Sequence, residues 1–143
     1  MAKNNYSVIE ECSIAAKKLY LRMVKLIDAQ NLEIWKISME LTTKIYKLTE
    51  TFPKEEIYGI TSQIRRCAVS IPSNIAEGKG RRTNKDFINF LYIAKGSLNE
   101  LQTQIIIANN LEYIKEEDKN QIIKISEALR IKIIKLINYL QKS

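Results

Sequence analysis

The chain carries 143 residues, 45% hydrophobic and 27% charged, with a formal net charge of +7 and only four glycines and two prolines. Such a length allows one domain with a short appendage, and the composition excludes a disordered chain, a many-turned all-β fold and a disulfide scaffold. Histidine is absent, which removes the usual near-neutral general base and the commonest metal ligand.

Residues 1–30 read as an extension ahead of a helical unit spanning 31–143. The opening Met1-Ala2-Lys3-Asn4-Asn5-Tyr6 is polar and no compact apolar segment follows it, so no secretory signal is expected. Ala15 to Ile27 is helix-capable, with Lys18, Arg22 and Lys25 on one side. No apolar run approaches the ~18 residues of a membrane span, so a cytoplasmic protein that engages no membrane is expected. Cys12 and Cys67 lie far apart without a CxxC spacing and read as reduced thiols.

The spacing predicts a first bundle helix from about Leu32 to Thr51, where Trp35, Ser38, Leu41, Thr42, Ile45, Leu48 and Phe52 recur every three or four residues. Phe52-Pro53 ends it, and Pro53 with Glu55 and Glu56 reads as the first turn of the second helix. The second helix has the cleanest period: Ile57, Ile60, Ile64, Cys67/Ala68, Ile71 and Ile75 share one side. Pro72 removes the donor for the Ala68 carbonyl and crowds it, at about 3 kcal/mol in an ordinary helix interior. The pattern nevertheless runs across it, so one helix bent at Pro72 is expected, stopped by Gly78 and Gly80.

Thr83 with Asp86 three residues on reads as the N-cap of the third helix, whose stripe is Phe87, Phe90, Leu91, Ala94, Leu98, Leu101, Ile105 and Ala108. It ends near Asn109-Asn110. Lys115-Glu116-Glu117-Asp118 opens the fourth helix, with the stripe Ile122, Ile125, Leu129, Ile133, Leu136 and Leu140. The predicted fold is all-α: an antiparallel up-down-up-down four-helix bundle with an N-terminal helical extension.

Apolar residues off the main stripes (Val69 and Ala76 on the second helix, Ile88, Ile106 and Ile107 on the third, Ile123, Ile134 and Ile137 on the fourth) predict a subunit interface. Ser62, Ser70, Ala76 and Gly96-Ser97 would let helices approach closely. No glycine-rich phosphate loop occurs, and the acidic pairs Glu55/Glu56 and Glu116/Glu117 fall at helix starts, where the dipole accounts for them. Neither thiol has a histidine partner. No catalytic residue, metal site or cofactor is therefore expected, and the chain does not read as an enzyme.

Charge is concentrated. From Arg65 to Lys95 there are seven basic residues (Arg65, Arg66, Lys79, Arg81, Arg82, Lys85, Lys95) against Glu77 and Asp86, an excess of five. Such a patch is the footprint of a polyanion partner, and arginine suits phosphate through paired donors. The candidate nucleic-acid-binding residues are Arg65, Arg66, Lys79, Arg81, Arg82 and Lys85. Nothing reads base edges, so contacts would go to phosphates without sequence preference.

Leu32-Glu33-Ile34-Trp35, Phe52-Pro53-Lys54-Glu55-Glu56, the run from Gln63 to Gly78 containing Arg65-Arg66-Cys67-Ala68-Val69-Ser70-Ile71-Pro72-Ser73-Asn74, and Phe90 to Leu101 together resemble the 23S rRNA intervening sequence proteins. The resemblance runs from about Asn31 to Ser143. It implies a homopentamer of four-helix bundles with a positive surface, its basic positions here being Arg65, Arg66, Arg81 and Arg82 and its polar bend Pro72, Asn74 and Glu77. A related branch, the accessory variability protein of diversity-generating retroelements, binds nucleic acid and associates with a reverse transcriptase, which implies a protein partner of that kind. Lys79 stands where an aromatic is common and Lys95 where a small residue is usual. Residues 1–22 look like an upstream extension.

Two functions compete: an oligomeric module that binds RNA or DNA through phosphates, and a protein-interaction scaffold in which Arg66, Arg81 and Arg82 pair with Glu77 or with a partner's acids.

Overall fold

The computed structural model describes residues 13–30 and 32–143, the side chains of 23–30 excepted. Among them five α-helices follow one another with no strand: α1 Ile14–Gln30, α2 Glu33–Thr49, α3 Ile60–Lys79, α4 Asn84–Asn110 and α5 Glu116–Gln141. The expected extension, residues 1–30, lies partly outside this set, at residues 1–12; from Ile14 on it is α1, which packs on α3 and α2.

The three- and four-residue apolar spacing places Leu41 and Ile45, Ile64, Ile71 and Ile75, Leu91, Leu98, Leu101 and Ile105, and Ile122, Leu129 and Ile133 in one fully buried core. Each such side chain contributes about 1.5–3 kcal/mol by leaving water. α2 packs on α3, α3 on α4, α4 on α5, and α5 back on α2. Contacts between α2 and α3 join Thr42 to Ala68 and Thr49 to Arg65, so rising numbers on one helix meet falling numbers on the other. Gly78 meets Phe87 and Ser70 meets Ser97 in the same opposed sense on α3 and α4. No described helix is long and apolar enough to cross a membrane.

The predicted start of the second bundle helix is corrected. Lys54–Glu56 forms a separate 3-10 turn after Pro53, and α3 begins only at Ile60. Gly59, with φ −104° and ψ −124°, breaks the chain between them, and the Glu56 carboxylate accepts from the Ile60 N–H at 3.3 Å. Ile57 is consequently exposed rather than in the stripe. On α5 the wheel turns slightly: Ile137 is buried, whereas Ile125, Leu136 and Leu140 only flank the core. The third-helix start stands as expected, with Thr83 Oγ1 accepting from the Asp86 N–H at 3.1 Å.

The helix stop falls where expected, with Gly80 as the C-cap of α3, but without a left-handed glycine. Gly80 keeps right-handed φ −75°, and no glycine has a positive φ; the left-handed residue among those described is Glu112, at φ 62° in the α4–α5 connection. Gly78 is needed for space, because a Cβ there would lie 2.6 Å from the Phe90 Cβ and 2.9 Å from the Phe87 ring. Gly96 faces open space, so the close approach expected of Gly96-Ser97 is made by Ser97 alone.

Candidate nucleic-acid interface

Everything at this surface depends on α3 remaining one helix through Pro72. Pro72 leaves the Ala68 carbonyl without its helical donor, and the Thr42 hydroxyl of α2 supplies one at 3.0 Å. The same hydroxyl lies 2.8 Å from the Ser38 carbonyl, so one proton is shared between the two acceptors. Pro72 itself is buried on the α2 side. On the opposite flank α3 is bound to α4 by small polar groups. The Ser70 hydroxyl lies 2.7 Å from Ser97 Oγ and donates to the Cys67 carbonyl, and the Cys67 thiol donates to the Ser97 carbonyl at 3.0 Å. Burial, with the Glu100 carboxylate as a second cause, pushes the Cys67 thiol up to about 12. It is no nucleophile.

The six predicted basic residues fall into two groups at opposite ends of α3. Arg65 and Arg66 lie near its start, Lys79, Arg81, Arg82 and Lys85 at its end and in the turn into α4. Fourteen residues separate Arg65 from Lys79, roughly 20 Å at the helical rise. That exceeds the ~8 Å screening length at physiological salt, so the groups act on a ligand independently.

At the first end Arg65 is half-buried: its Nε donates to Thr49 Oγ1 at 2.8 Å and its guanidinium lies 4.8 Å from the Tyr46 ring centre. Arg66 is exposed and has no partner among the described residues. At the second end Arg81 pairs with Glu77 at 2.8 Å and stacks 4.8 Å over Phe90, while Lys79 lies 5.9 Å over Phe87. Arg82 and Lys85 are exposed and unpartnered among the described residues. The Gly78 contact fixes this second group by bringing the last turn of α3 onto Phe87 and Phe90. Sequence reasoning missed the supports Tyr46, Thr49 and Phe90; only the i, i+4 spacing of Glu77 and Arg81 signalled a pair.

The predicted interface residues also divide. Val69 and Ala76 line a groove of about 300 Å³ between α2 and α3, together with Trp35, Met39 and Pro72. Ile106 and Ile107 are exposed on the outer side of α4, and Ile88 packs against the core edge. Tyr92 and Ile93, also exposed on α4, extend the outer apolar surface past the bare Gly96. No group of three His, Cys, Asp or Glu able to hold a metal comes together among the described residues.

A family model described as "23S rRNA-intervening sequence protein" matches residues 30–139. A comparison with curated proteins finds no match. Among solved structures, a protein of unknown function from the S23 ribosomal protein family of Bacteroides thetaiotaomicron is similar. It is 28% identical with a TM-score of 0.68, and the match covers 73% of this chain and 97% of that one.

Proposed function

The chain belongs to the 23S rRNA-intervening sequence protein family, and from that premise we propose that it is a non-enzymatic, oligomeric helical bundle that binds RNA or DNA through phosphates. The observation carrying this reading is the turn from α3 into α4, where Arg82 and Lys85 stand exposed and without a partner among the described residues, beside a stacked Arg81. Between residues 57 and 85 the only acid is Glu77. Oligomerisation is supported by the outer face of α4, where Tyr92 and Ile93 near one end and Ile106 and Ile107 near the other are exposed. A ring of identical protomers, a pentamer by the family resemblance, would multiply weak phosphate contacts into avidity without sequence reading.

Gel-shift titration over a salt series tests it. Wild type should show a steep log–log salt slope, and Arg81→Ala/Arg82→Ala should reduce that slope by about 0.9 for each phosphate no longer neutralised on duplex DNA. Binding indifferent to both salt and substitution overturns the proposal.

A scaffold reading is favoured by one observation: Arg65 and Arg81 already have partners inside the protomer. Loss of the assembly in Arg66→Ala or Arg81→Ala, measured by size-exclusion mass, would support that reading instead.

A further inference from the structure

We infer that Glu77 is the selectivity element of the α3–α4 surface: its carboxylate occupies the Arg81 fork as an internal stand-in for phosphate and yields it only to a polyanion that also engages Arg82 and Lys85. The inference rests on the nucleic-acid reading above and deepens it. Glu77 Oε1 lies 2.8 Å from the Arg81 amino group, and their side chains are 55% and 47% exposed, so a ligand can reach the pair. Arg81 is held over the Phe90 ring at 4.8 Å, which keeps the guanidinium in place while its anion is exchanged.

The helix dipole does not favour Glu77, whose one stabilising contact among the described residues is the i, i+4 pair with Arg81. Glu77 lies in the last turn of α3, where the dipole favours cations and opposes a carboxylate. The pair instead sets the one carboxylate of this surface against its most firmly seated arginine. The exchange chemistry then sets the selectivity. A single phosphate replaces one anion by another at Arg81 and gains little. A phosphate chain gains further contacts at Arg82 and Lys85, which have no anion to surrender among the described residues. Inorganic phosphate and mononucleotides are thereby disfavoured relative to polynucleotides, by no more than an exposed ion pair withholds.

The test compares wild type with Glu77→Gln against inorganic phosphate by NMR titration, and against fluorescent single-stranded oligonucleotides, a short one and a long one, by anisotropy over a salt series. Glu77→Gln should bind phosphate and the short strand up to about fivefold more tightly, the most that an exposed ion pair of this kind withholds. The long strand should gain less, because wild type already surrenders Arg81 to it. Glu77→Gln/Arg81→Gln should lose the gain. Phe90→Leu, which leaves the ion pair's own atoms intact, should weaken the long strand. Equal binding by wild type and Glu77→Gln to every ligand overturns the inference while leaving the nucleic-acid reading standing. Absence of long-strand binding in both proteins, with a phosphate gain in Glu77→Gln, removes that reading but keeps the stand-in role.

Discussion

The two ends of α3 carry the same residue types and put them to different uses. At its start Arg65 is taken up by the fold, bonded through Nε to Thr49 and laid on Tyr46. At its end Arg81 is laid on Phe90 but paired only with an exposed carboxylate, and Arg82 and Lys85 have no described partner at all. Cation and ring occur in both. The difference lies in what takes the remaining donors: a buried hydroxyl in one case, an exchangeable anion in the other. An arginine-rich sequence segment therefore contains both cations taken up by the bundle and cations left facing solvent, and only the partner of each guanidinium separates them.

The comparison breaks first at Gly78, which seats the solvent-facing end. Gly78→Ala would drive a Cβ to 2.6 Å from the Phe90 Cβ, and a helix-to-helix shift must follow. We expect a loss of about 3 kcal/mol, overpacking at the upper end of its usual range, read as a fall in the urea midpoint. The gain in helix propensity from alanine offsets less than about 1 kcal/mol of it. A variant as stable as wild type would mean that the α3–α4 approach is not fixed by this contact.

Next in size is Thr42, which holds the two ends in one helix. Thr42→Val keeps the shape of the side chain but leaves the Ala68 carbonyl facing Pro72 without a donor. An unsatisfied buried carbonyl costs about 1–3 kcal/mol, so a loss near 2 kcal/mol is expected. Pro72→Ala in the Thr42→Val background should recover most of it, since alanine restores the N–H. Without recovery, the hydroxyl does not serve the proline.

The helices and most of their buried stripes were legible in the sequence because period 3.6 survives any packing arrangement: Leu41, Ile64, Leu98 and Ile133 stand where spacing alone puts them. Ile57 was misread because the stripe continues backwards through a stretch that Gly59 interrupts, and periodicity is blind to backbone breaks. The basic residues were legible as a set but not as an arrangement. Separation along a helix divides them into two groups, and the rings and hydroxyl that sort them come from α2 and α4, at sequence distances no local pattern reaches. Thr42 is the sharpest case. The unsatisfied Ala68 carbonyl was predictable from Pro72, yet nothing in the sequence could name its donor 26 residues away.

A smaller effect tests the bundle-building end. Arg65→Ala removes the bond to Thr49 and the stacking on Tyr46, and should destabilise the bundle by about 1 kcal/mol, because the group is half in solvent. The salt slope of nucleic-acid binding should stay unchanged, whereas Arg82→Ala should leave stability unchanged and lower the slope. Equal effects of both substitutions on both measurements would erase the distinction between the two ends.

The effect that is smallest near neutral pH lies between them, at Cys67. Its thiol is buried against the Ser97 carbonyl and pushed up to about 12, burial being the main cause and Glu100 the second. In the unfolded chain the same thiol ionises near its ordinary value of about 8.5. The sign follows from linkage: the folded state holds its proton more tightly, so this contribution is complete below about pH 8.5 and declines as pH rises toward 12. The loss grows with each pH increment through that range. In a Cys12→Ser background, Cys67→Ala should flatten the decline of the urea midpoint between pH 8.5 and 10 relative to its parent. Folded protein should also resist alkylation at pH 8 until it is unfolded. Rapid alkylation of the native state would show that the α3–α4 seam opens, and with it the rigid seat on which the Gly78 and Arg81 geometry depends.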